Sequence, residues 1–212
     1  MIENLSPSIF FDLDGTLFNS YERLYQLFSY LVAENVLDFN SYWDLKKNQK
    51  GHSYILKNYF SYTEKDIISF EIKWLKEIEK ERWLSLDKPF DWVYNYLEIL
   101  SAKYDLYIVT DRQSRMSAIN QVSKYEWKKF IKNIFVTEKK VEKHELIKDI
   151  PMNKEKSWFI GDTGRDIQTG KIIGIKTAGV LSGFRNMELL SNYNPDIIIK
   201  EAVDLTSTLL RL

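Results

Sequence analysis

The chain reads as an α/β protein: a Rossmann-like parallel sheet with helices on both faces, and a small α-helical insertion after the first strand. Three observations predict this. From about residue 89 onward, short apolar runs rich in β-formers alternate with helical stretches, the pattern of parallel strands joined by crossover helices. The first apolar run, Ile9-Phe10-Phe11, is too short for a helix and is followed by Asp12-Leu13-Asp14-Gly15-Thr16, a strand ending in a turn. Between Asn19 and Leu86 there is one glycine, no proline and a helical spacing of apolar residues.

The elements follow in order. Tyr21–Val36 predicts a helix broken by Asp38-Phe39-Asn40-Ser41, and the polar run Lys46–Gly51 predicts a loop. In Glu64–Trp83, Ile67, Phe70, Trp74 and Ile78 recur at three- and four-residue spacing and mark an amphipathic helix. Thr63 is its expected N-cap, with acidic residues in the first turn. Asp87-Lys88-Pro89 marks the return from the insertion, with Pro89 opening a helix that runs to about Lys103. The remaining expectations are strands 105–109, 133–136, 157–160, 175–180 and 196–199, and helices 113–124, 143–149 and 166–172.

Chemistry concentrates where strands end. Side chains alternate along a strand, so Asp12 and Asp14 can face one cavity, and like charges held close raise the apparent pKa of one of the pair. Asp-x-Asp-Gly also occurs in ordinary turns and calcium loops, but Thr16-Leu17-Phe18-Asn19 lacks the further ligands of a calcium loop. A second strand ends in Gly161-Asp162, with Asp166 shortly after. A third ends in Thr110, followed by Asp111 and Arg112, and Lys139, Lys140 and Lys143 precede the second acidic pair. Open parallel sheets bind ligands outside the carboxyl ends of their strands, so these pieces converge on one crevice. His52 and His144 lack metal-site spacing. Gly164–Lys171 is not a phosphate-binding loop of the Walker type, because Ile172 stands where Ser or Thr is needed.

This order of motifs resembles the haloacid dehalogenase-like hydrolase superfamily, in its phosphatase branch with a type-1 helical cap, like phosphoglycolate phosphatases. Asp12-Leu13-Asp14-Gly15-Thr16 fits the first motif. Thr110 supplies the second, although Asp111 replaces the more familiar Asn or Gly, and Gly161-Asp162-Thr163-Gly164-Arg165-Asp166 fits the fourth. The third motif is only a lysine. Lys143 is favoured because an apolar helix start follows it, with Lys140 second and Lys139 third. The resemblance implies a catalytic core of residues 1–17 and 87–212 and a cap of residues 18–86. It implies a Mg²⁺-dependent phosphatase acting on a small phosphorylated metabolite. Asp12 would be the nucleophile that forms an aspartyl-phosphate, and Asp14 the acid and base. One oxygen of Asp12, the backbone carbonyl of Asp14 and Asp162 would hold the metal, with Asp166 on metal-bound water or on Lys143. Thr110 and Lys143 would bind the phosphoryl group. Substrate contacts are also expected from Asp111, from Arg112 and Arg115, and from Lys50 in the cap loop. The alternatives are a dehalogenase, for which Asp14 is superfluous, a phosphomutase or phosphonatase on the same core, and a non-catalytic binding module.

Composition sets outer bounds. Lys plus Arg and Asp plus Glu both total 30, which argues against a nucleic-acid binder working by bulk charge. Cysteine is absent, so disulfides, thiolate catalysis and cysteine-bound zinc are excluded. Met1–Pro7 has neither the basic start nor the apolar stretch of a signal peptide, and no apolar run approaches bilayer-spanning length. A soluble cytoplasmic protein with no membrane partner is expected. Aromatic residues make up 15% of the chain, with six Trp, so large rings are expected in the core and the cap seam.

Overall fold

The computed structural model describes residues 5–32 and 37–210. In chain order, β1 (Ser8–Phe11) leads through a tight loop to β2 (Phe18–Asn19) and then to five helices. These are α1 (Tyr21–Val32), α2 (Phe39–Lys47), α3 (His52–Tyr59), α4 (Glu64–Glu77) and α5 (Glu81–Leu84). The chain returns through β3 (Lys88–Pro89) and α6 (Val93–Ser101). It then alternates through β4 (Asp105–Thr110), α7 (Arg115–Val122), β5 (Ile131–Val136), α8 (Lys143–Ile147), β6 (Trp158–Gly161), α9 (Gly164–Ile173), β7 (Lys176–Val180), α10 (Met187–Ser191), β8 (Ile197–Ile199) and α11 (Thr206–Leu210).

The six longer strands form one parallel sheet in the order β5-β4-β1-β6-β7-β8. Its two-residue periodicity is visible in β1. Ile9 and Phe11 join Leu97 and Leu100 of α6 and Ala118 of α7 on one face. Phe10 joins Ile147 of α8 and Ile173 of α9 on the other, stacked on Tyr107 with ring centroids 5.1 Å apart. Both faces are covered, so the central strands β1 and β6 are buried along their whole length, as in other parallel sheets. The expected α/β class and parallel sheet agree with this architecture.

The inserted helices have an apolar centre of their own, built on Phe28, Tyr42, Trp43, Ile55, Ile67 and Phe70. They join the sheet domain through β2 and β3, an antiparallel pair with Phe18 opposite Pro89. This pairing corrects the expectation that Pro89 opens a helix: Lys88–Pro89 is extended against Phe18–Asn19, and α6 begins at Val93. Asp38–Ser41, expected to be a break, is a helix start, since Asp38 accepts the Ser41 amide at 2.9 Å and caps α2. Residues 33–36 of the expected first helix lie outside the described residues. Thr63 caps α4 reciprocally with Asp66, as its spacing suggested. The single helix expected over 64–83 is divided after Glu77, where the Ile78 carbonyl accepts a hydrogen bond from Arg23.

Candidate active site

The cleft opens where β1, β4 and β6 end. Gly15, with φ +89°, turns the chain immediately after the first acidic pair, and the Leu13 carbonyl accepts from the amides of Leu17 and Phe18. This loop holds Asp12 and Asp14 on opposite tasks. The Asp12 carboxylate lies within 4.8 Å of those of Asp162 and Asp166, and all three are buried. Lys143, the first residue of α8, is buried with its Nζ 2.5 Å from Asp12 Oδ1 and 2.6 Å from Asp166 Oδ1. Asp166 is held in turn by the amide and hydroxyl of Thr163, at 3.0 and 2.6 Å. Asp162 Oδ2 accepts the Phe184 amide at 2.7 Å, whereas its Oδ1 is buried with no hydrogen-bond partner. A Cβ at Gly183 would come within 2.1 Å of Asp162 Oδ2, so that glycine lets the 182–185 loop close onto the carboxylate.

Three buried carboxylates around one lysine leave an excess of negative charge. Burial, reinforced by the charges of Asp166 and Asp14, pushes Asp12 up to about 7 against the pull of Lys143. Burial and the neighbouring Asp12 and Asp166 push Asp162 well above the carboxylate range. Lys143 is held protonated by Asp12 and Asp166 despite its burial. A hard, oxygen-rich set with one orphaned carboxylate oxygen suits a divalent cation of the Mg²⁺ type.

Asp14 lines the same cleft but has different partners. Its carboxylate receives Arg23 at 2.6 Å, Arg112 at 2.7 and 2.8 Å, and the Ser20 hydroxyl at 2.8 Å. Although burial acts in the opposite direction, Arg112 and Arg23 hold it well below the usual carboxylate range. Both guanidiniums also reach Asp87, at 2.9 and 3.2 Å, so buried Asp87, the half-buried Asp14 and two buried guanidiniums form a neutral set. Gln121 completes it, accepting from Arg112 and donating to Asp87.

The walls come from both parts of the chain. The cleft, about 250 Å³, is lined on the sheet side by Asp12, Thr110, Asp111, Lys139, Lys143 and Asp162. On the helical side lie Leu24, Trp74, Leu75, Ile78 and Glu79, with Phe184 between. Glu79 fastens the two sides, its carboxylate accepting the amides of Gln113 and Ser114 at 2.6 and 2.8 Å. On the far side, Arg185 donates to the Lys46 carbonyl and Trp43 stacks on Phe184 at 5.6 Å.

The structure therefore brings Asp12, Asp14, Thr110, Asp111, Arg112, Lys143 and Asp162 to one cleft, with Asp166 directly behind Lys143. Of the three candidate lysines, Lys143 meets the carboxylates, Lys139 lines the cleft, and Lys140 lies on the surface 3.7 Å from Glu138. Arg112 is buried beneath Asp14 rather than projecting into open space. Asp111 pairs with Arg165 at 3.2 Å. Lys50 is not among the lining residues and stands 4.6 Å over the Tyr54 ring, and Arg115 is exposed on α7. Sequence reasoning missed Arg23, Asp87, Gln121 and Glu79. Arg23 alone left a trace: it falls four residues before Leu27, on the buried stripe of α1.

A model of the haloacid dehalogenase-like hydrolases matches residues 9–180. The chain belongs to this family. It is a hydrolase by that membership. It is 26% identical over 217 residues to the pyrophosphatase PpaX of Anoxybacillus flavithermus, covering 95% of this chain and 96% of that one. PpaX of Bacillus pumilus is 24% identical, with 97% of each chain covered. Among solved structures, a haloacid dehalogenase-like family protein from Streptococcus pneumoniae superposes with a TM-score of 0.76 at 22% identity, over 96% of this chain and 98% of that one. Bacillus subtilis YfnB, determined bound to magnesium, superposes with a TM-score of 0.65 at 18% identity, over 98% and 100%. These likenesses carry the family fold across the whole described chain. Among the described residues no helix is long and apolar enough to cross a membrane.

Proposed function

We propose that this hydrolase is a Mg²⁺-dependent phosphatase that cleaves a small phosphorylated metabolite through an aspartyl-phosphate on Asp12. The observation that carries the reading is the junction of Asp12, Lys143, Asp166 and Asp162 at the strand ends, with Thr110 beside them in a roofed cleft. Phosphate monoesters are anionic and hydrolyse very slowly unaided, so a site must neutralise charge and present a nucleophile in line. Asp12 and Asp162 would hold Mg²⁺ with the backbone carbonyl of Asp14, Asp166 standing beside them on Lys143, and the ion would supply charge neutralisation at the phosphoryl oxygens. The protein's own groups do the rest. Lys143 carries a fixed positive charge to the phosphoryl side of Asp12, and Thr110 offers a hydroxyl to its oxygens. Asp12 attacks phosphorus, the ester oxygen leaves with the bonding pair, and water later releases phosphate from Asp12.

Asp14, held ionised by two guanidiniums, is suited to take the proton from that water. To protonate a leaving oxygen it must first exchange a guanidinium contact for a proton. The helical segment 18–86 serves as the cap, excluding water and contacting the non-reacting end of the substrate. The relatives named pyrophosphatase support phosphoryl chemistry on such a core. A dehalogenase would have no use for the Asp14 network.

The decisive experiment measures phosphate release from acetyl phosphate and simple esters. EDTA should abolish turnover and Mg²⁺ restore it. Asp12→Asn should lose several orders of magnitude while remaining folded by circular dichroism. Full activity in chelated buffer, or in that variant, overturns the assignment.

A further inference from the structure

We propose that the cleft is built for a phosphate ester whose leaving group is apolar and carries no second anionic group; this rests on the phosphatase reading above. The wall facing the carboxylates is made of Leu24, Trp74, Leu75, Ile78 and Phe184. Its charged members are Glu79, an anion already bound to two amides of the sheet domain, and Arg23, whose charge is matched by Asp14 and Asp87. A second phosphoryl or carboxylate group on the substrate would need a cation with donors to spare, because an unpaired buried charge is strongly disfavoured.

The cations bordering the cleft do not provide one on that wall. Arg23 directs its guanidinium to Asp14, Asp87 and the Ile78 carbonyl. Arg112 directs its own to Asp14, Asp87 and Gln121. Lys143 bridges Asp12 and Asp166. Lys139 lies on the sheet side near Asp111, the side to which the reading above assigns the phosphoryl group.

The apolar wall is also held in place before any substrate arrives. Trp74 packs edge-on against His52 at 4.2 Å and stacks on Phe70, and Phe184 stacks on Trp43. Rings fixed in this way lose little freedom when a ligand binds. At about 250 Å³, the cleft falls just below the ~300–1,000 Å³ of drug-sized ligand sites. After the phosphoryl group is seated, the remaining space suits a short alkyl chain or one ring.

The test is a matched pair of substrates with similar alkoxide leaving groups, n-propyl phosphate and 2-phosphoglycolate, measured with phenyl phosphate, pyrophosphate and acetyl phosphate. Wild-type kcat/KM should favour n-propyl phosphate over 2-phosphoglycolate at least tenfold, with phenyl phosphate above pyrophosphate. Trp74→Ala should reduce the propyl-to-glycolate preference at least fivefold. A wild-type preference for 2-phosphoglycolate or pyrophosphate overturns the inference while leaving the phosphatase reading intact. Because that comparison needs no variant, it stands even if Trp74→Ala fails to fold. Failure of every compound, acetyl phosphate included, removes the phosphatase reading and this inference together.

Discussion

At the scale of single residues, the least expected feature is the neutral set of Asp14, Asp87, Arg23 and Arg112. Removing one partner from a buried ion pair leaves its mate uncompensated and costs about 3–5 kcal/mol, whereas replacing both by apolar groups is often neutral. Asp87→Ala should therefore lower the midpoint of urea unfolding by the equivalent of about 3 kcal/mol or more. The pair Arg23→Met with Asp87→Leu should recover part of that loss. A single-variant loss under about 1 kcal/mol, the scale of an exposed pair, would show that the set is solvated in solution. Gly183→Ala tests the other half of the site. Its methyl group would collide with Asp162, so Mg²⁺ affinity measured by calorimetry should fall at least tenfold, with a modest loss of thermal stability. Wild-type affinity in that variant would mean the loop does not press on the carboxylate. Asp12, Asp14, Asp162 and Asp166 were legible as candidates because each lies in a local signature of apolar run, acid and turn. The partners of Asp14 were not. Asp87 stands 64 positions from Arg23 and Arg112 stands 98 from Asp14, and nothing in a stretch of sequence records such a meeting.

Elements were legible where periodicity acts alone and illegible where a distant group intervenes. The strand positions follow from short β-branched and aromatic runs, and α4 starts at Thr63 as its capping residues dictate. Its end does not follow from spacing, because the apolar repeat continues past Ile78 while Arg23 draws the Ile78 carbonyl away. Pro89 reads as a helix start until the partner strand at Phe18 is known. Within the helical insertion, half-buried His52 packs among Phe28, Tyr42, Phe70 and Trp74. Burial, with Lys46 nearby, holds its pKa well below the usual histidine value. The unfolded chain therefore binds a proton that the folded chain refuses once the pH drops below about 6.5. Stability from this source is complete above that value and declines below it, by up to about 1.4 kcal/mol per pH unit. The stability difference between wild type and His52→Phe should shift against the wild type between pH 7.5 and 5.5, read from urea midpoints. A difference that stays constant across that interval would show that His52 titrates normally.

For the whole molecule, the class and sheet were readable because alternating elements leave few ways to bury both faces of a parallel sheet. How the inserted helices sit on that sheet was not readable, because it depends on side chains meeting across the seam: Glu79 with Gln113 and Ser114, Trp43 with Phe184, and Tyr21 with the Gly183 carbonyl. The shared set of charges gives this arrangement a consequence for modularity. Arg23 belongs to the inserted helices, Asp14 and Arg112 to the sheet domain, and Asp87 to the return crossing, so a cut at the boundary divides an electrically balanced group. The sheet domain freed of residues 18–86 would leave Asp14 and Asp87 against Arg112 alone, with net negative charge. Joining residues 17 and 87 by a short linker should therefore yield a product that is unfolded or aggregated at neutral pH, judged by circular dichroism and sedimentation. Adding an arginine in the linker to replace Arg23 should improve it. A well-folded excised sheet domain would refute the coupling. If the coupling holds, these helices are not an interchangeable attachment: a graft from another family member would have to bring its own cation to the same spot, and substrate range could change only by substitution in place.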